Sequence, residues 1–561
     1  MRDGTVLRTD VFRPAEQERT LPVILMRMPY GKSQAQTQVY GHPITYAQTG
    51  YIVAVQDTRG RGRSDGDFYP FLNEMDDGYD TVEWAAQLEG SSGRVGMYGF
   101  SYAGATQLFA AVTAPPHLTC IAPATTGGNC YEGWIYRGGA LSLAFAVSWG
   151  LKLSFQDALK KGDMKRARAL KEAQGSPGRY FDHLPPSSIS LLNEDDCPYF
   201  QDWLSHPTYD SYWQRWSIES LYDRVQVPTL HIGGWYDFFK DGTISNFIGI
   251  RNAGNVHPDR NHLLMGPWYH MPWPSILNGH DFGPDAKNDI DRIQLRWFDR
   301  WLKDIVIQEP TENDPSEVRV FTMGRNRWES YSDWPPRDAS EMIMYLNGHG
   351  PANSLDGAGT LTNEAPVDET QDIFTYDPWS PVQSVGGHSC CVPGLTPMGP
   401  KDQRPVESHP QVLVYDSAAL SEEVVVAGPV TARLWVATSA VDTDFVAKLV
   451  DVWPDGQAIN ICEGILRMSY RDGYERPSLL EPWRVYEVEV DLGHTCNVFL
   501  PAHRIRLEVT SSCYPHWDRN LNTGVHGEIE EDADVQLATQ IVFRGPDRPS
   551  LLMLPVREVD T

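Results

Sequence analysis

Gly99-Phe100-Ser101-Tyr102-Ala103-Gly104 sets a serine among small residues, directly after the apolar run Val95–Tyr98 and directly before the Ala-rich stretch Tyr102–Val112. A serine hydroxyl becomes a usable nucleophile on a sharp strand-to-helix turn, and so tight a turn leaves room only for small neighbours. The usual spelling is G-x-S-x-G; here Ala103 holds the second small position and Gly104 follows it. The pattern alone is short, so the strand before it and the helix after it carry the reading. A serine nucleophile also needs a base, and the base needs an orienting acid. In a parallel α/β sheet such groups lie just beyond the carboxyl ends of strands. Two later apolar runs end that way. Thr229–Ile232 leads into Gly233-Gly234-Trp235-Tyr236-Asp237, and His262–Met265 leads into Gly266-Pro267-Trp268-Tyr269-His270. The chain order Ser101, Asp237, His270 is one of three known orders for such a set. The chemistry would be acyl transfer. His231 inside a strand, His262 at a strand start and His280 in a loop read as structural histidines, and Asp241 reads as the start of the next helix.

The elements that must position these residues are legible as alternating patterns. Val23–Met26 and Tyr51–Val55 are short apolar runs bounded by turn residues, which predicts buried strands. Between Asp76 and Leu88 the apolar positions Tyr79, Val82 and Ala86 recur at helical spacing. Strand, helix, strand, helix predicts a parallel sheet in the first 125 residues. From about Cys120 to Trp216 the pattern lapses into aromatic-rich helical stretches, the longest over Leu151–Ala173. It resumes with the two strands above and a helix that places Ile290, Ile293, Trp297 and Trp301 on one face. After about Pro310 short alternating runs dominate: Val318–Met323, Glu341–Leu346, Gln411–Tyr415, Thr431–Ala437, Phe445–Val452, Val485–Val490 and Arg504–Val509. These predict an all-β sandwich or jelly roll. Residues 348–405 are rich in Gly, Pro, Ser and Asn and read as a long surface loop.

Composition narrows the function class. The 561 residues carry 74 acids against 47 Lys and Arg, a net charge of −27. That repels phosphate backbones and anionic lipid, so nucleic acid and membrane surfaces are not expected partners. No run approaches the length of a membrane span. Met1–Pro14 is charged and lacks an apolar core, so no secretory leader is expected there. Eight cysteines without CxxC spacing predict reduced, buried thiols in a cytoplasmic protein. Other conspicuous motifs receive structural readings. The run Asp57 to Ser64, with Arg59, Arg61 and Arg63, lacks phosphate-loop spacing; it predicts a tight turn whose arginines pair with acids such as Glu74 or Asp77. His388 with the adjacent Cys390 and Cys391 reads as a loop with unremarkable thiols, because neighbouring cysteines seldom share a tetrahedral site. His526 with Glu528 reads as a solvated turn. No metal or other cofactor is required by the chemistry.

Several longer segments carry a resemblance. They are Arg2–Pro14 (RDG and TDVFRP), Arg27–Lys32 (RMPYGK), Asp57–Gly66 (DTRGRGRSDG), Glu74–Trp84 (EMDDGYDTVEW), Gly99–Gly104 (GFSYAG), His206–Trp213 (HPTYDSYW), Gly233–Phe239 (GGWYDFF), Gly266–His270 (GPWYH), Met323–Trp328 (MGRNRW) and Asn520–Gly524 (NLNTG). Spread along the whole chain, they resemble the cocaine esterase and α-amino-acid ester hydrolase family (CocE/NonD), which belongs with X-prolyl dipeptidyl-peptidases and includes glutaryl-cephalosporin acylases. The resemblance implies an α/β hydrolase fold with an inserted helical cap, plus a C-terminal all-β jelly-roll domain. Residues 1–125 and 216–310 would form the hydrolase core, 126–215 the cap and 311–561 the jelly roll. It implies an oxyanion hole made of the Tyr30 hydroxyl and the Tyr102 amide, with Phe239 and Trp149 lining an acyl pocket. It implies a small ester or amide as substrate, no cofactor, and homo-oligomers as a family habit. A serine hydrolase for neutral acyl esters is therefore expected. An α-amino-acid ester hydrolase or β-lactam acylase would need a carboxylate cluster to hold an ammonium group, and an X-Pro dipeptidyl-peptidase would need an acidic anchor. A catalytically silent binding protein is the alternative from another class.

Overall fold

The computed structural model describes residues 1–35, 39–305, 317–392, 394–525 and 535–558. His526 and Glu528 lie outside the described residues. Nine strands build the first sheet: β1 (Thr9–Phe12), β2 (Leu21–Met28), β3 (Ile52–Asp57), β4 (Ser91–Phe100), β5 (Leu118–Ala124), β6 (Thr229–Tyr236), β7 (Asn261–Tyr269), β8 (Val318–Thr322) and β9 (Arg327–Tyr331). Their spatial order is β1-β3-β2-β4-β5-β6-β7-β8-β9. Strands β2 to β8 run parallel, and β1 and β9 close the two edges antiparallel. Such strands are apolar on both faces because helices cover both. β2 shows the alternation: Val23 and Leu25 belong to the core on one face, Ile24 and Met26 to the core on the other.

Helices α1 (Glu74–Ala86) and α2 (Tyr102–Ala111) pack on the first face. The connection from β5 to β6 holds α3 (Leu143–Lys161), α4 (Met164–Gln174) and α5 (Pro198–Ser205), which extend that same core. The single helical stretch expected over Leu151–Ala173 is two helices. Gly162 ends α3 at φ 74°, a left-handed conformation that glycine adopts freely, and the Asp163 side chain accepts from the Arg166 amide to open α4. Helix α6 (Lys240–Ala253) follows β6, and α7 (Ile290–Lys303) covers the opposite face with Ile290, Ile293, Trp297 and Phe298 buried. Trp301, expected on the same stripe, is half-buried beside Arg300.

Eleven further strands, from Ser340–Gly348 to Leu551–Arg557, form a second, largely antiparallel sheet, and three two-stranded ribbons lie outside both sheets. Two differences from the sequence reading stand out. Val318–Thr322 and Arg327–Tyr331 complete the first sheet, so the parallel layer runs past the 310 boundary. Residues 348–405 are not one loop, since Gly359–Thr362 and Thr370–Tyr376 are strands of the second sheet. The two layers share one core cluster. Trp235, Leu263 and Met265 of the first sheet cluster with Phe321 and with Leu434, Val490 and Leu507 of the second.

Candidate active site

The turn between β4 and α2 is as tight as its composition requires. Ser101 has φ 62° and ψ −126°, a strained backbone conformation for a residue with a side chain. It is held by its amide donating to the Ala124 carbonyl at 2.9 Å and by its own carbonyl accepting from Gly104 at 2.8 Å. A methyl group on Gly99 would fall 2.7 Å from the Ala103 side chain, and one on Gly104 would fall 2.7 Å from the Ala124 carbonyl oxygen. The small residues around the serine are therefore steric necessities.

Asp237 lies one residue past β6 and His270 one residue past β7, on adjacent parallel strands. The structure brings both to Ser101. His270 Nε2 is 3.0 Å from Ser101 Oγ, and His270 Nδ1 is 2.9 Å from Asp237 Oδ1. Asp237 and His270 are buried, and Ser101 keeps 8% of its surface exposed. Phe239 and Phe100 pack against the imidazole at 5.2 and 5.8 Å between ring centres. The Trp273 indole donates to the His270 carbonyl at 3.0 Å. The rival residues lie elsewhere. His231 shares a hydrogen bond with Asn261, and burial drives it down to about 3. His262 meets the Asp259 carbonyl, and His280 packs on Phe282 and Trp453. Asp241 opens α6, facing Arg137 at 3.1 Å and accepting from the His494 amide.

Tyr30 stands two residues past β2, where the alternation of Met26, Met28 and Tyr30 aims all three at one cavity of about 100 Å³ that also contains Ser101 and His270. The Trp149 indole donates to the Tyr30 hydroxyl at 3.1 Å. Burial pushes the Tyr30 phenol up to about 12, against smaller opposing effects of Trp149, Arg61 and Ser101, so it is a protonated donor at neutral pH. Tyr102 is the first residue of α2, where an amide has no partner within its own helix. Its side chain is anchored away from the cavity, donating to Glu74 at 2.9 Å and accepting from the Phe71 amide.

Trp149 lines the cavity. Phe239 does not: it is fully buried behind His270 and packs on Trp134 at 4.4 Å. The cysteine reading also needs correction. Cys390 and Cys391 are joined as a disulfide, and Cys391 forms part of the cavity wall, while Cys120, Cys130, Cys197, Cys462, Cys496 and Cys513 are free and buried. The two sulfurs and His270 are the one convergent set of metal-ligand types among the described residues. Sulfurs bonded to each other are not thiolates, so the set as it stands is a poor match to a soft cation. The arginine-rich turn divides its partners. Arg59 pairs with Asp77 at 2.6 Å, Arg61 reaches Asp157 of α3 at 2.8 Å, and Glu74 instead holds Arg27. Sequence reading missed Lys152, Gln34, Tyr40, Phe145 and Met271 of the lining. One usable signal existed: Lys152 lies three positions after Trp149, on the same side of α3.

Residues 3–272 match the family model of X-Pro dipeptidyl-peptidase (S15 family), and residues 312–553 match that of the X-Pro dipeptidyl-peptidase C-terminal non-catalytic domain. A cocaine esterase from Rhodococcus sp. (strain MB1 Bresler) is 36% identical over 99% of this chain and 97% of its own. The chain belongs to the cocaine esterase (CocE/NonD) family. Among solved structures, this family member is similar to an aminopeptidase from a marine sediment Thaumarchaeota archaeon, with TM-score 0.84, 25% identity and coverage of 100% of this chain and 95% of that one. It is also similar to an α-amino acid ester hydrolase, with TM-score 0.81, 26% identity and coverage of 99% and 95%. The family member thus has an α/β-hydrolase-like layer with a separate C-terminal β domain. Among the described residues, no helix is long and apolar enough to cross a membrane.

Proposed function

We propose that this chain is a serine hydrolase that cleaves carboxylic esters, or activated amides, of small acyl groups through an acyl-enzyme. The observation that carries the reading is the buried line from Asp237 through His270 to a serine on a strained turn, with both contacts at 2.9–3.0 Å. Ser101 Oγ attacks the acyl carbonyl while His270 Nε2 takes its proton. Asp237 holds the imidazole by Nδ1 and stabilises the imidazolium. The Tyr30 hydroxyl and the Tyr102 amide donate to the oxyanion, and His270 then protonates the leaving alcohol or amine. Water attacks the acyl-enzyme with the same base. We assign residues 126–215 as a helical cap over the acyl group, the parallel layer through Tyr331 as the hydrolase core, and the strands from Ser340 onward as a jelly roll. Arg61 ties the core turn to cap helix α3.

An α-amino-acid ester or X-Pro peptide would require a carboxylate for its ammonium group, and the described lining contains none. Neutral acyl esters fit better. A fluorophosphonate probe should label the protein at Ser101, and Ser101→Ala should abolish labelling together with p-nitrophenyl ester hydrolysis. An unlabelled wild-type protein would refute the enzyme reading.

A further inference from the structure

Asp237 has two carboxylate oxygens, and His270 engages only Oδ1. Oδ2 is buried and meets no donor among the described residues. A second cavity, of about 30 Å³, has Asp237 in its wall but neither Ser101 nor His270. Ser142, His388, Glu463 and His516 share that wall. All five residues are at least nine-tenths buried. Each brings one buried atom without a hydrogen-bond partner among the described residues: Asp237 Oδ2, Ser142 Oγ, His388 Nδ1, Glu463 Oε2 and His516 Nδ1. Buried polar atoms are nearly always paired, with protein or with ordered water. Five around one space mark a place built for a hydrogen-bonding guest.

The wall also says what kind of guest. Ser142 stands at the N-cap of α3, where a serine hydroxyl ordinarily accepts from the first amides of the helix; here it makes no such bond. Glu463 comes from strand Ala458–Arg467 of the second sheet, and its Oε1 accepts from the His388 amide at 3.0 Å. Against the upward push of burial, His388, His516 and Lys448 hold Glu463 well below the usual carboxylate range, so it is charged at neutral pH. Burial drives His516 down to about 4, so its neutral ring has one nitrogen to donate and one to accept. Two carboxylates repel an anion. Lys240 and Arg137, in the same wall, already supply positive charge beside Asp241, at 3.9 and 3.1 Å. A neutral molecule that both donates and accepts is what remains. Water needs roughly 10–15 Å³ and two to four polar partners, so the cavity has room for about two.

We infer that this cavity is a water site of the catalytic machinery, in which ordered water donates to Asp237 Oδ2 and ties it to Ser142, Glu463 and His516. Those three become positioning residues for His270. The inference rests on the serine-hydrolase reading and adds how the acid is held. A carboxylate fixed at one oxygen can swing about its Cβ–Cγ bond, and a donor on Oδ2 pins it with Oδ1 toward the imidazole. None of the three lines the Ser101 cavity, so their effect reaches the substrate only through Asp237 and His270.

A crystal structure of the intact protein should show water density within about 3.2 Å of both Asp237 Oδ2 and Ser142 Oγ. Ordered water elsewhere in the interior and none here would overturn the inference. Ser142→Ala removes a partner of the water but no cap bond. On a p-nitrophenyl ester its kcat should fall about tenfold, the scale of one lost buried hydrogen bond, while KM and the thermal midpoint barely move. Ser142→Thr, which keeps the hydroxyl, should stay near wild type, and His516→Leu should lose about as much as Ser142→Ala. Because both act through the same water, the double variant should fall little below the weaker single one; independent effects would multiply. Unchanged kcat in both single variants, a Ser142→Thr as slow as Ser142→Ala, or multiplied losses would each overturn the inference. Rates are taken per Ser101 labelled by fluorophosphonate, which removes misfolded protein from the comparison. A wild-type protein that takes no label would refute the hydrolase reading instead, and the water density would still decide the site.

Discussion

Tyr30 is the residue on which the proposed chemistry can be dissected most cleanly. Its hydroxyl is neutral at working pH, is held by the Trp149 indole, and faces the same cavity as Ser101. A pre-oriented O–H donor in a dry site acts on the developing oxyanion more than on the ground-state carbonyl. Tyr30→Phe should therefore lower kcat by about 10²–10³ with little change in KM, read by steady-state kinetics on a p-nitrophenyl ester. A loss of less than about twofold would assign the oxyanion to other donors. The neighbourhood of Ser101, Asp237 and His270 was legible because each follows an apolar run, and parallel strands deliver their ends to one edge. Phe239, Lys152 and Cys391 were not legible in the same way. Their directions are set by contacts far away in sequence: Phe239 by Trp134, Lys152 by the Tyr30 ring, and Cys391 by a loop that arrives more than a hundred residues after His270.

Elements impose their own demands on the site. The β4–α2 turn works because Gly99 and Gly104 lack side chains, which lets the helix start close under the Ala124 carbonyl. A methyl group at Gly104 would also meet the Thr126 side chain at 2.9 Å. Gly104→Ala should destabilise the fold by about 1–3 kcal/mol, as overpacking does, and should depress kcat because Ser101 must move with the turn. Gly162→Ala is the matched control: φ is 74° but nothing lies within 4 Å, so thermal stability should fall modestly while kcat stays unchanged. Thermal melts and kinetics on the two variants decide it, and an active, fully stable Gly104→Ala would contradict the steric account. Apolar runs showed where most strands of the parallel layer lie, because burial on both faces leaves no polar position to confuse the period. Edge strand β1 is half-exposed throughout and gave no such run. The split between α3 and α4 depended on one glycine's backbone and one aspartate cap, features that a hydrophobic period does not register. Thr370–Tyr376 hid in turn-rich sequence because its pairing partner, Ala538–Arg544, lies more than 150 residues away, and Gly359–Thr362, which pairs with nearby Ser340–Gly348 as well as with Leu413–Asp416, is only four residues long.

At the scale of the whole molecule, the parallel layer and the C-terminal β domain meet in a shared core cluster. The residues just before Asp237 make the joint. Within the parallel layer the Trp235 indole donates to the Phe321 carbonyl at 2.6 Å, and beyond that layer's last strand it packs on Trp334 at 5.5 Å between ring centres. Tyr236 donates to the Asn460 carbonyl at 2.9 Å and stacks on His388, which in turn meets the Trp235 carbonyl at 2.9 Å. The β domain thus fixes the strand end from which Asp237 reaches His270, although none of its own strands enters the reaction proposed above. Sequence reading placed a boundary near 310 because the texture changes there, and a change of texture carries no information about shared core. Two expectations follow from the joint. Calorimetry of the intact chain should give one unfolding transition, with fluorophosphonate labelling lost at the same temperature. Trp235→Ala, which opens a cavity at the seam, should cost about 3–5 kcal/mol and lower both together. If instead the variant split the melt into two transitions and kept labelling through the first, the layers would be independent domains and Asp237 would owe its position to the parallel sheet alone.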